Sequence, residues 1–450
     1  MRNYAQDTIA AAATPPGSGG IAIVRISGPA TPEIARRILG KLPKPRMAAL
    51  GDFHDADGQR IDTGIALYFP APHSFTGEHV LELHGHGGPV PVSDLVGAAI
   101  ALGARRAEPG EFTKRAFLND KLDLVQAEAI ADLVGSGSRQ AARAALRSLS
   151  GEFSAAISAL QEQLIRLRMH VEAAIDFPEE EIDFLADAGL RRAIGQCARA
   201  FAELAGKART GRLLRDGYRM VIAGRPNAGK SSLLNRLSGE ESAIVTEIAG
   251  TTRDILRERI DIDGLVVELV DTAGLRENPD RIEAEGIRRA MEAIRNADAV
   301  LWVEDAAGQC DTQADYAAAD LPPDIPLLVV RNKIDLSGEI PGPAQARAPT
   351  ILLSAKTGAG LDSLRAAIRD LAGYEDLGEG SFTARRRHLE ALRRAQEHFD
   401  AGALALEENK AGELLAEELR LAHQALGEIT GAYSSDDLLG RIFSEFCIGK

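Results

Sequence analysis

The sequence predicts a multidomain protein with an α+β N-terminal domain, an all-α helical domain, and a Ras-like α/β domain inserted into the helical one. Short β-type runs separated by Gly/Pro turns occupy residues 1–118. Apolar residues at helical spacing occupy 119–215 and 376–450, and β-type runs alternate with helical segments over 216–375. Because domain termini usually lie close together, the two helical blocks can form one domain around the insertion.

Composition limits the class of protein. The chain has 450 residues, of which 45% are hydrophobic and 26% charged, and this is ordinary for a soluble globular protein. No apolar run reaches about 18 residues and the N-terminus lacks a secretory pattern, so we expect a cytoplasmic protein with no membrane span. The cysteines are far apart, which indicates a reducing compartment. The net charge of −14 argues against a nucleic-acid-binding surface along the whole chain but permits a local basic patch.

In the first domain, the β-type runs are residues 21–27, 63–69 and 79–84. The first helical block carries an apolar stripe at spacings of three and four, formed by Ile157, Leu160, Leu164, Leu167 and Val171. Six strands are predicted in the inserted domain, at residues 219–223, 256–261, 266–270, 299–303, 327–330 and 350–353. Since Asp263-Gly264 is a hairpin signal, we expect the second and third strands to be antiparallel and the others parallel.

Residues 224–231 of the inserted domain indicate a phosphate-binding loop. They fit G-x-x-x-x-G-K-[ST], follow a β-type run and precede a helical pattern. The glycines let backbone N–H groups converge on a phosphate at a helix N-terminus. Lys230 would bridge the β- and γ-phosphates, and the Ser231 hydroxyl would bind Mg²⁺. Outside that context, the same residues would be a Gly-rich turn with a surface lysine.

Three shorter motifs, each after a β-type run, predict that the nucleotide is GTP. In the D-x-x-G motif, Asp271 would hold Mg²⁺ through water and the Gly274 N–H would meet the γ-phosphate. Asp335, in Asn-Lys-Ile-Asp, would accept hydrogen bonds from guanine N1–H and N2–H₂, which adenine lacks. The run Ser354-Ala355-Lys356 would close over guanine O6.

The segment 246–254 between these motifs has the composition of a nucleotide switch. A threonine there can complete the Mg²⁺ shell while the γ-phosphate is present, although an ordinary polar loop would look similar. Leu275 stands where Ras-type enzymes carry the glutamine that orients the attacking water, so another group must do so. Glu283 is the candidate, and the alternative is a solvated helix carboxylate. No arginine finger can be assigned, because the two candidates, Arg253 and Arg276, fit surface roles equally well.

These and further motifs show that the chain resembles, from end to end, the bacterial tRNA-modification GTPases of the MnmE (TrmE) family. The segments that carry the resemblance are residues 7–10, 13–17, 75–78, 85–89, 109–113, 115–124, 250–254 and 446–450.

The resemblance implies that the first domain dimerises and binds a reduced folate, either 5-formyl- or 5,10-methylene-tetrahydrofolate. The positions that match the folate ligands are Arg25, Glu82, Lys121 and Lys450. From the residues alone, Arg25 and Glu82 would be outward-facing strand residues. An arginine and a glutamate are suited to the glutamate tail and the polar edge of a pterin.

The resemblance also implies activation by K⁺, which would take the place of an arginine finger when two GTPase modules meet. Asn227 matches the side-chain ligand of K⁺, and Thr246, Ile248 and Thr251 match the loop that supplies further oxygens. Ser231 and Thr252 match the Mg²⁺ ligands, and Glu283 matches the glutamate that orients water. The full set of predicted nucleotide and cation ligands is Asn227, Ala228, Gly229, Lys230, Ser231, Ser232, Thr246, Glu247, Ile248, Ala249, Gly250, Thr251, Thr252, Asp271, Thr272, Ala273, Gly274, Asn332, Lys333, Asp335, Ser354, Ala355 and Lys356.

The implied partners are a second copy of the chain, tRNA, and an FAD-dependent MnmG (GidA)-like protein with which it would form a heterotetramer. Together they would add a carboxymethylaminomethyl or aminomethyl group at C5 of the wobble uridine, using a one-carbon unit from tetrahydrofolate. Cys447 is implied to matter for modification, although a terminal cysteine alone is usually an unreactive thiol. The basic run 385–388 would contact tRNA phosphates, or else form a solvated helix face.

Two other functions remain open at this point. A ribosome-assembly GTPase that binds rRNA would need a basic appendage, which the acidic composition disfavours. A folate-dependent transferase in which GTP only regulates would carry the same motifs.

Overall fold

The computed structural model describes residues 7–176, 188–225, 227–240, 257–263, 265–271, 297–308, 325–346, 348–374, 380–433, 436–444, 446 and 449. By internal contacts the chain divides into two compact units. The first comprises residues 1–131, 149–162 and 420–450, and the second comprises 132–148 and 163–419.

The first unit contains a six-stranded sheet in the order β3-β4-β5-β2-β1-β6. Its strands are β1 (Ile9–Ala12), β2 (Gly19–Ser27), β3 (Ala49–His54), β4 (Arg60–Phe69), β5 (Val80–Gly87) and β6 (Arg105–Arg106). The helices of this region are α1 (Thr31–Leu39), α2 (Pro89–Ala101), α3 (Glu111–Leu118) and α4 (Leu124–Gly135). The three predicted β-type runs are confirmed as β2, β4 and β5, and β1, β3 and β6 are additional strands.

Helices α1 and α2 cover one face of this sheet. Leu81 and Leu83 point into that core, with Val24 and Ile26 from the neighbouring strand. Because successive side chains of a strand point to opposite faces, Glu82 lies on the other face, directly opposite Arg25 of β2.

The helical part of the chain comes from both sides of the inserted domain, as predicted. Before the insertion lie α5 (Arg139–Leu149), α6 (Glu152–Asp176) and α7 (Ala188–Asp216). The stripe predicted on α6 is buried along its whole length, from Ile157 to Val171.

Within the second unit, α7 packs on α11 (Arg386–Asn409), a helix that follows the insertion, and the rings of Phe201 and Phe399 lie 5.3 Å apart. The inserted domain supplies α8 (Lys230–Glu240), α9 (Ile334–Ser337) and α10 (Leu361–Ala372), and the chain continues beyond α11 with α12 (Gly412–Thr430) and α13 (Asp436–Ser444).

The inserted domain is built on a seven-stranded sheet in the order β12-β13-β11-β10-β7-β9-β8. Its strands are β7 (Tyr218–Ala223), β8 (Arg257–Ile262), β9 (Leu265–Asp271), β10 (Ala299–Asp305), β11 (Leu327–Asn332), β12 (Gly342–Ala344) and β13 (Thr350–Leu352). All six predicted strands are present, and β8 and β9 are antiparallel across the predicted hairpin.

The prediction of a single antiparallel pair is wrong, because β12 also runs antiparallel, to β13. This three-residue edge strand has the sequence Gly-Pro-Ala, which has little strand propensity and carries no hydrophobic pattern. Proline is tolerated there because an edge strand pairs on one side only.

The run 385–388 does not form one exposed basic face. Arg385 is buried, and its Nη2 donates to Asp132 at 2.7 Å. His388 is also buried, and its Nδ1 accepts from the Arg385 backbone N–H at 3.0 Å. Half of this run therefore stabilises the start of α11.

Candidate active site

The phosphate loop lies between β7 and α8, and within its described residues, 224–225 and 227–229, two positions have a conformation that only glycine can adopt. Gly224 has φ 140°, and a Cβ added there would lie 2.1 Å from the Val303 carbonyl oxygen. Gly229 has φ 91°, and its Cβ would lie 2.3 Å from Asn332 Nδ2. The backbone therefore packs directly on the ends of β10 and β11, and it meets α8 at the N-terminus, where an anion is stabilised.

Lys230 begins α8, and its side chain turns back into the loop. The residue is only 8% exposed, and its Nζ donates to the carbonyl oxygens of Gly224 at 3.0 Å and Arg225 at 2.9 Å. Ser231 and Ser232 follow it in the exposed first turn of the helix. An ammonium held inside a loop at a helix N-terminus, with a hydroxyl beside it, suits a phosphate group and its Mg²⁺ ion.

Asn332 joins three segments of the site and is only 2% exposed. Its Nδ2 donates to the Ala228 carbonyl oxygen at 3.0 Å. Its Oδ1 accepts from the backbone N–H groups of Lys333 at 2.8 Å and Ala355 at 2.9 Å. Hydrogen bonds of Asn332 thus connect the phosphate loop, the Asn-Lys-Ile-Asp segment and the Ser-Ala-Lys segment.

The carboxylate predicted to recognise guanine is exposed and oriented. Ser354, which is 1% exposed, donates from its Oγ to Asp335 Oδ1 at 2.6 Å. The same Oγ accepts from the Thr357 N–H at 3.2 Å. Lys356 is exposed. A carboxylate fixed by a buried hydroxyl is preorganised for the two donors of a guanine edge.

Sequence reasoning missed Asp305. It is the last residue of β10, directly opposite Asn332 in the parallel register, and its Oδ2 accepts from Lys333 Nζ at 2.8 Å. The hydrogen bond from Lys333 lowers the pKa of this carboxyl. An acidic residue at the end of a buried strand was the available signal, since ligand sites lie at the carboxyl ends of parallel strands.

The backbone of Asp271 ends β9 and pairs with Ile222 of β7, at the same edge of the sheet as the phosphate loop. Many of the other predicted residues fall outside the described parts of the chain. They are Thr246, Glu247, Ile248, Ala249, Gly250, Thr251, Thr252, Thr272, Ala273, Gly274, Glu283, Cys447 and Lys450.

A second polar site lies on the face of the first sheet opposite α1 and α2. The guanidinium of Arg25 contacts Glu82 Oε1 through Nε at 3.0 Å and Nη2 at 2.9 Å, and both side chains are about one-fifth exposed, at 22% and 17%. The guanidinium carbon of Arg25, Cζ, lies 5.5 Å from the centre of the Phe75 ring and 5.6 Å from the centre of the Phe112 ring. Arg25 Nη1 also approaches the Gly449 carbonyl oxygen, at 3.5 Å.

The remaining predicted folate residue in the described chain is Lys121, which is exposed. It lies beside Gly77, where an added Cβ would be 3.5 Å from Lys121 Cγ. The aromatic Phe75, itself 38% exposed, is two residues away in the chain. The loop between β4 and β5 thus contacts Arg25 through Phe75 and lies beside Lys121 at Gly77.

A buried ionic cluster in the same unit was also missed. Arg115, 1% exposed, donates to Asp7 Oδ1 at 2.7 Å, to Glu78 Oε1 at 3.0 Å and to Glu111 Oε1 at 3.0 Å. Arg105 contacts Asp7 and Glu111 as well. Asp7 and Glu78 are distant in sequence from the segment 105–115 that holds the other members, so no local sequence pattern predicts the cluster.

The fold and the loops around the phosphate site define a P-loop GTPase of the Ras-like class. The family profile described as the MnmE helical domain matches residues 124–447, and that of the GTP-binding protein TrmE N-terminus matches 8–121. The chain belongs to the MnmE family of tRNA modification GTPases. It is a GTP hydrolase that takes part in tRNA modification, and the GTPase fold supports GTP with Mg²⁺ as the ligand.

Relatives that match this chain over nearly its whole length are tRNA modification GTPases. The tRNA modification GTPase MnmE of Chromohalobacter salexigens is 57% identical over 452 residues, covering 99% of each chain. That of Vibrio cholerae is 55% identical over 451 residues, again covering 99% of each. The match to the solved G domain of the T. maritima FeoB iron transporter has 23% identity and a TM-score of 0.27, and it covers 34% of this chain and 98% of that chain. Within the described residues, no helix combines the length and apolarity needed to cross a membrane.

Proposed function

We propose that the chain is a potassium-activated GTPase that modifies tRNA together with an FAD-dependent MnmG-like partner. A homodimer of this chain and the partner would form a heterotetramer in the cytoplasm. They would add an aminomethyl or carboxymethylaminomethyl group at C5 of the wobble uridine, taking the one-carbon unit from a tetrahydrofolate. The proposal assigns residues 1–118 to folate binding and dimerisation, 216–375 to GTP hydrolysis, and 119–215 with 376–450 to the helical domain.

The observation that carries the folate part is the Arg25–Glu82 pair. Its two side chains are partly exposed and flanked by Phe75, so they offer a donor, an acceptor and a ring face together. These are the groups that a pterin edge and its plane require. Bound folate would supply the one-carbon unit, and this chain's own residues would bind and orient it. Lys121 and Lys450 would neutralise its carboxylates, and Cys447 would act nearby.

The GTPase part rests on the geometry of the phosphate loop. Lys230 would exchange its two loop carbonyls for phosphate oxygens, and Ser231 with Thr252 would hold Mg²⁺. Asn227 has an exposed side chain at the loop, and an amide oxygen is a suitable ligand for K⁺. In this proposal, Thr246, Ile248 and Thr251 complete the K⁺ site and Glu283 orients the attacking water.

Wobble-nucleoside analysis of tRNA from cells that lack this protein tests the modification. We expect the C5-modified wobble uridines to disappear and to return when the gene is restored. Unchanged wobble nucleosides together with accumulated rRNA precursors would instead support a ribosome-assembly role.

A single-turnover assay with labelled methylene-tetrahydrofolate, the FAD partner and tRNA separates a driving role of GTP from a regulatory one. We expect label to reach tRNA with GTP and not with GDP. Equal transfer with both nucleotides would mean that hydrolysis does not drive modification.

Potassium is expected to raise the GTP hydrolysis rate about tenfold over sodium at equal ionic strength, because a cation beside the phosphates offsets developing negative charge. The measurement is the initial rate in KCl and in NaCl. An Asn227→Ala variant should lose this difference, whereas Asn235→Ala, an exposed asparagine on α8, should keep it. Equal rates in the two salts for the unmodified protein would refute the potassium site.

A further inference from the structure

Two non-glycine residues of the active site have left-handed backbone conformations, and they contact each other. Asn227 of the phosphate loop has φ 65°, and Lys333 of the guanine-recognition segment has φ 69°. Lys333 Nζ donates to the Asn227 carbonyl oxygen at 2.7 Å. Since left-handed conformations are unfavourable for residues with a Cβ, surrounding contacts must hold both in place.

The carboxylate of Asp305 holds the other side of the Lys333 ammonium. Its Oδ2 accepts from Lys333 Nζ at 2.8 Å, and its Oδ1 accepts from the Ala307 N–H at 3.0 Å. Its backbone is fixed by strand pairing with Asn332 and by the hydrogen bond from the Ala306 N–H to the Asn332 carbonyl oxygen, at 2.8 Å. The carboxylate is therefore anchored at one oxygen by a turn and presents the other to the lysine.

We propose that Asp305 is a positioning residue for GTP hydrolysis, which sets the conformation of the phosphate loop at Asn227 through the Lys333 ammonium. Asp305 makes this contact from the end of β10 and acts on the nucleotide only through Lys333. The chain Asp305–Lys333–Asn227 connects the guanine-recognition segment to the phosphate loop. A second link, from Asn332 to the Ala228 carbonyl oxygen, leaves the rest of the loop in place when Asp305 is changed.

Asp305→Asn isolates the charge, because asparagine keeps an oxygen acceptor for the Ala307 N–H but pairs weakly with an ammonium. Without the carboxylate, Lys333 is released and Asn227 relaxes toward a right-handed conformation. We expect the Kd for GDP and the KM for GTP to rise about tenfold, while kcat at saturating GTP changes less.

The matched control is Asp298→Asn. Asp298 directly precedes β10, at the end of the strand opposite Asp305. Asp298 pairs with Arg212 at 3.2 Å, away from the loop, and its loss should leave the Kd for GDP within about twofold. Asp305→Glu keeps the charge and is expected to recover most of the affinity. If Asp305→Asn bound GDP as the unmodified protein does, or if Asp305→Glu were as impaired as Asp305→Asn, a positioning role would be excluded.

A double-mutant cycle with Lys333→Met tests whether Asp305 acts through the lysine. In the Lys333→Met background, adding Asp305→Asn should change the Kd for GDP by less than about twofold. Independent, additive losses would overturn the proposal. Thermal unfolding of every variant without nucleotide separates these effects from a loss of folding, which would affect Asp305→Asn in both backgrounds.

The potassium dependence gives a further readout, which rests on the proposed role of Asn227. The K⁺ concentration for half-maximal activity should rise about tenfold in Asp305→Asn, because the ligand is no longer held. If the unmodified protein shows no potassium activation, the proposed cation site fails, but the GDP affinities still decide the role of Asp305. If Asp305→Asn kept both the potassium activation and the GDP affinity of the unmodified protein, the proposed action of Asp305 on Asn227 through Lys333 would be contradicted.

Discussion

Lys230→Met is expected to lower kcat for GTP hydrolysis about a thousandfold. The charge on its Nζ lies inside the phosphate loop, where the low exposure of the residue strengthens its interaction with phosphate oxygens. Methionine keeps the length and the apolar stem of the side chain but removes the charge and its donors. Groups of this kind contribute about two to four orders of magnitude to phosphoryl and acyl transfer.

The measurement is the single-turnover rate at GTP concentrations that saturate the variant. Saturation matters because the variant also removes the charge that would contact the phosphates of bound GTP, so nucleotide affinity should fall as well. Lys207→Met, at an exposed lysine of α7, serves as the control and should keep the full rate. A Lys230→Met rate within about tenfold of the unmodified rate would show that another group stabilises the phosphates.

Arg115→Met is expected to lower the free energy of unfolding of the first unit by about 3–5 kcal/mol. The variant leaves Asp7, Glu78 and Glu111 close together without the guanidinium that joins them. Glu111 is itself 1% exposed, so its charge cannot be solvated in place. Urea unfolding at neutral pH measures the change.

The exposed pair Arg36–Glu33 offers a matched control. Its side chains are 52% and 69% exposed, and Arg36→Met should cost less than about 1 kcal/mol. Equal losses in the two variants would mean that the buried cluster contributes no more than a surface pair.

The cluster should also make stability depend on acid pH. Burial raises the pKa of Asp7 and of Glu111, but hydrogen bonds from Arg105 and Arg115 outweigh it and leave both pKa values lowered. A lowered folded-state pKa stabilises the protein above the unfolded pKa, which is 4.5 for glutamate, and this contribution is lost as the pH falls through the folded-state value. Arg115→Met should therefore lose less stability than the unmodified protein between about pH 6 and about pH 3. A steeper loss in the variant would contradict this assignment.

Local patterns indicated the phosphate loop and the guanine-nucleotide motifs because each motif consists of a few neighbouring residues. The phosphate loop needs two glycines five positions apart, with a lysine and a serine directly after the second, and the Asp335 and Ser354 motifs each follow their own buried strand. The edge strand β12 escaped prediction because three residues with no hydrophobic alternation take their conformation from the neighbouring β13. Asp305 escaped because a single acidic residue at a strand end has no pattern until Lys333 is folded against it.

The sequence by itself determined the fold class, the insertion of a GTPase domain into a helical domain, and the guanine-nucleotide motifs. Each depends on local periodicity or on residues within one loop. Only the tertiary structure decided that Arg385 and His388 are buried, that Arg115 joins three carboxylates, and that Asp305 reaches the phosphate loop through Lys333. Asp305 and Lys333 lie 28 positions apart in the sequence, and Asp132 and Arg385 lie 253 positions apart. The physical reason is that burial and charge pairing depend on which segments the fold brings together, and spacing along the chain does not record that.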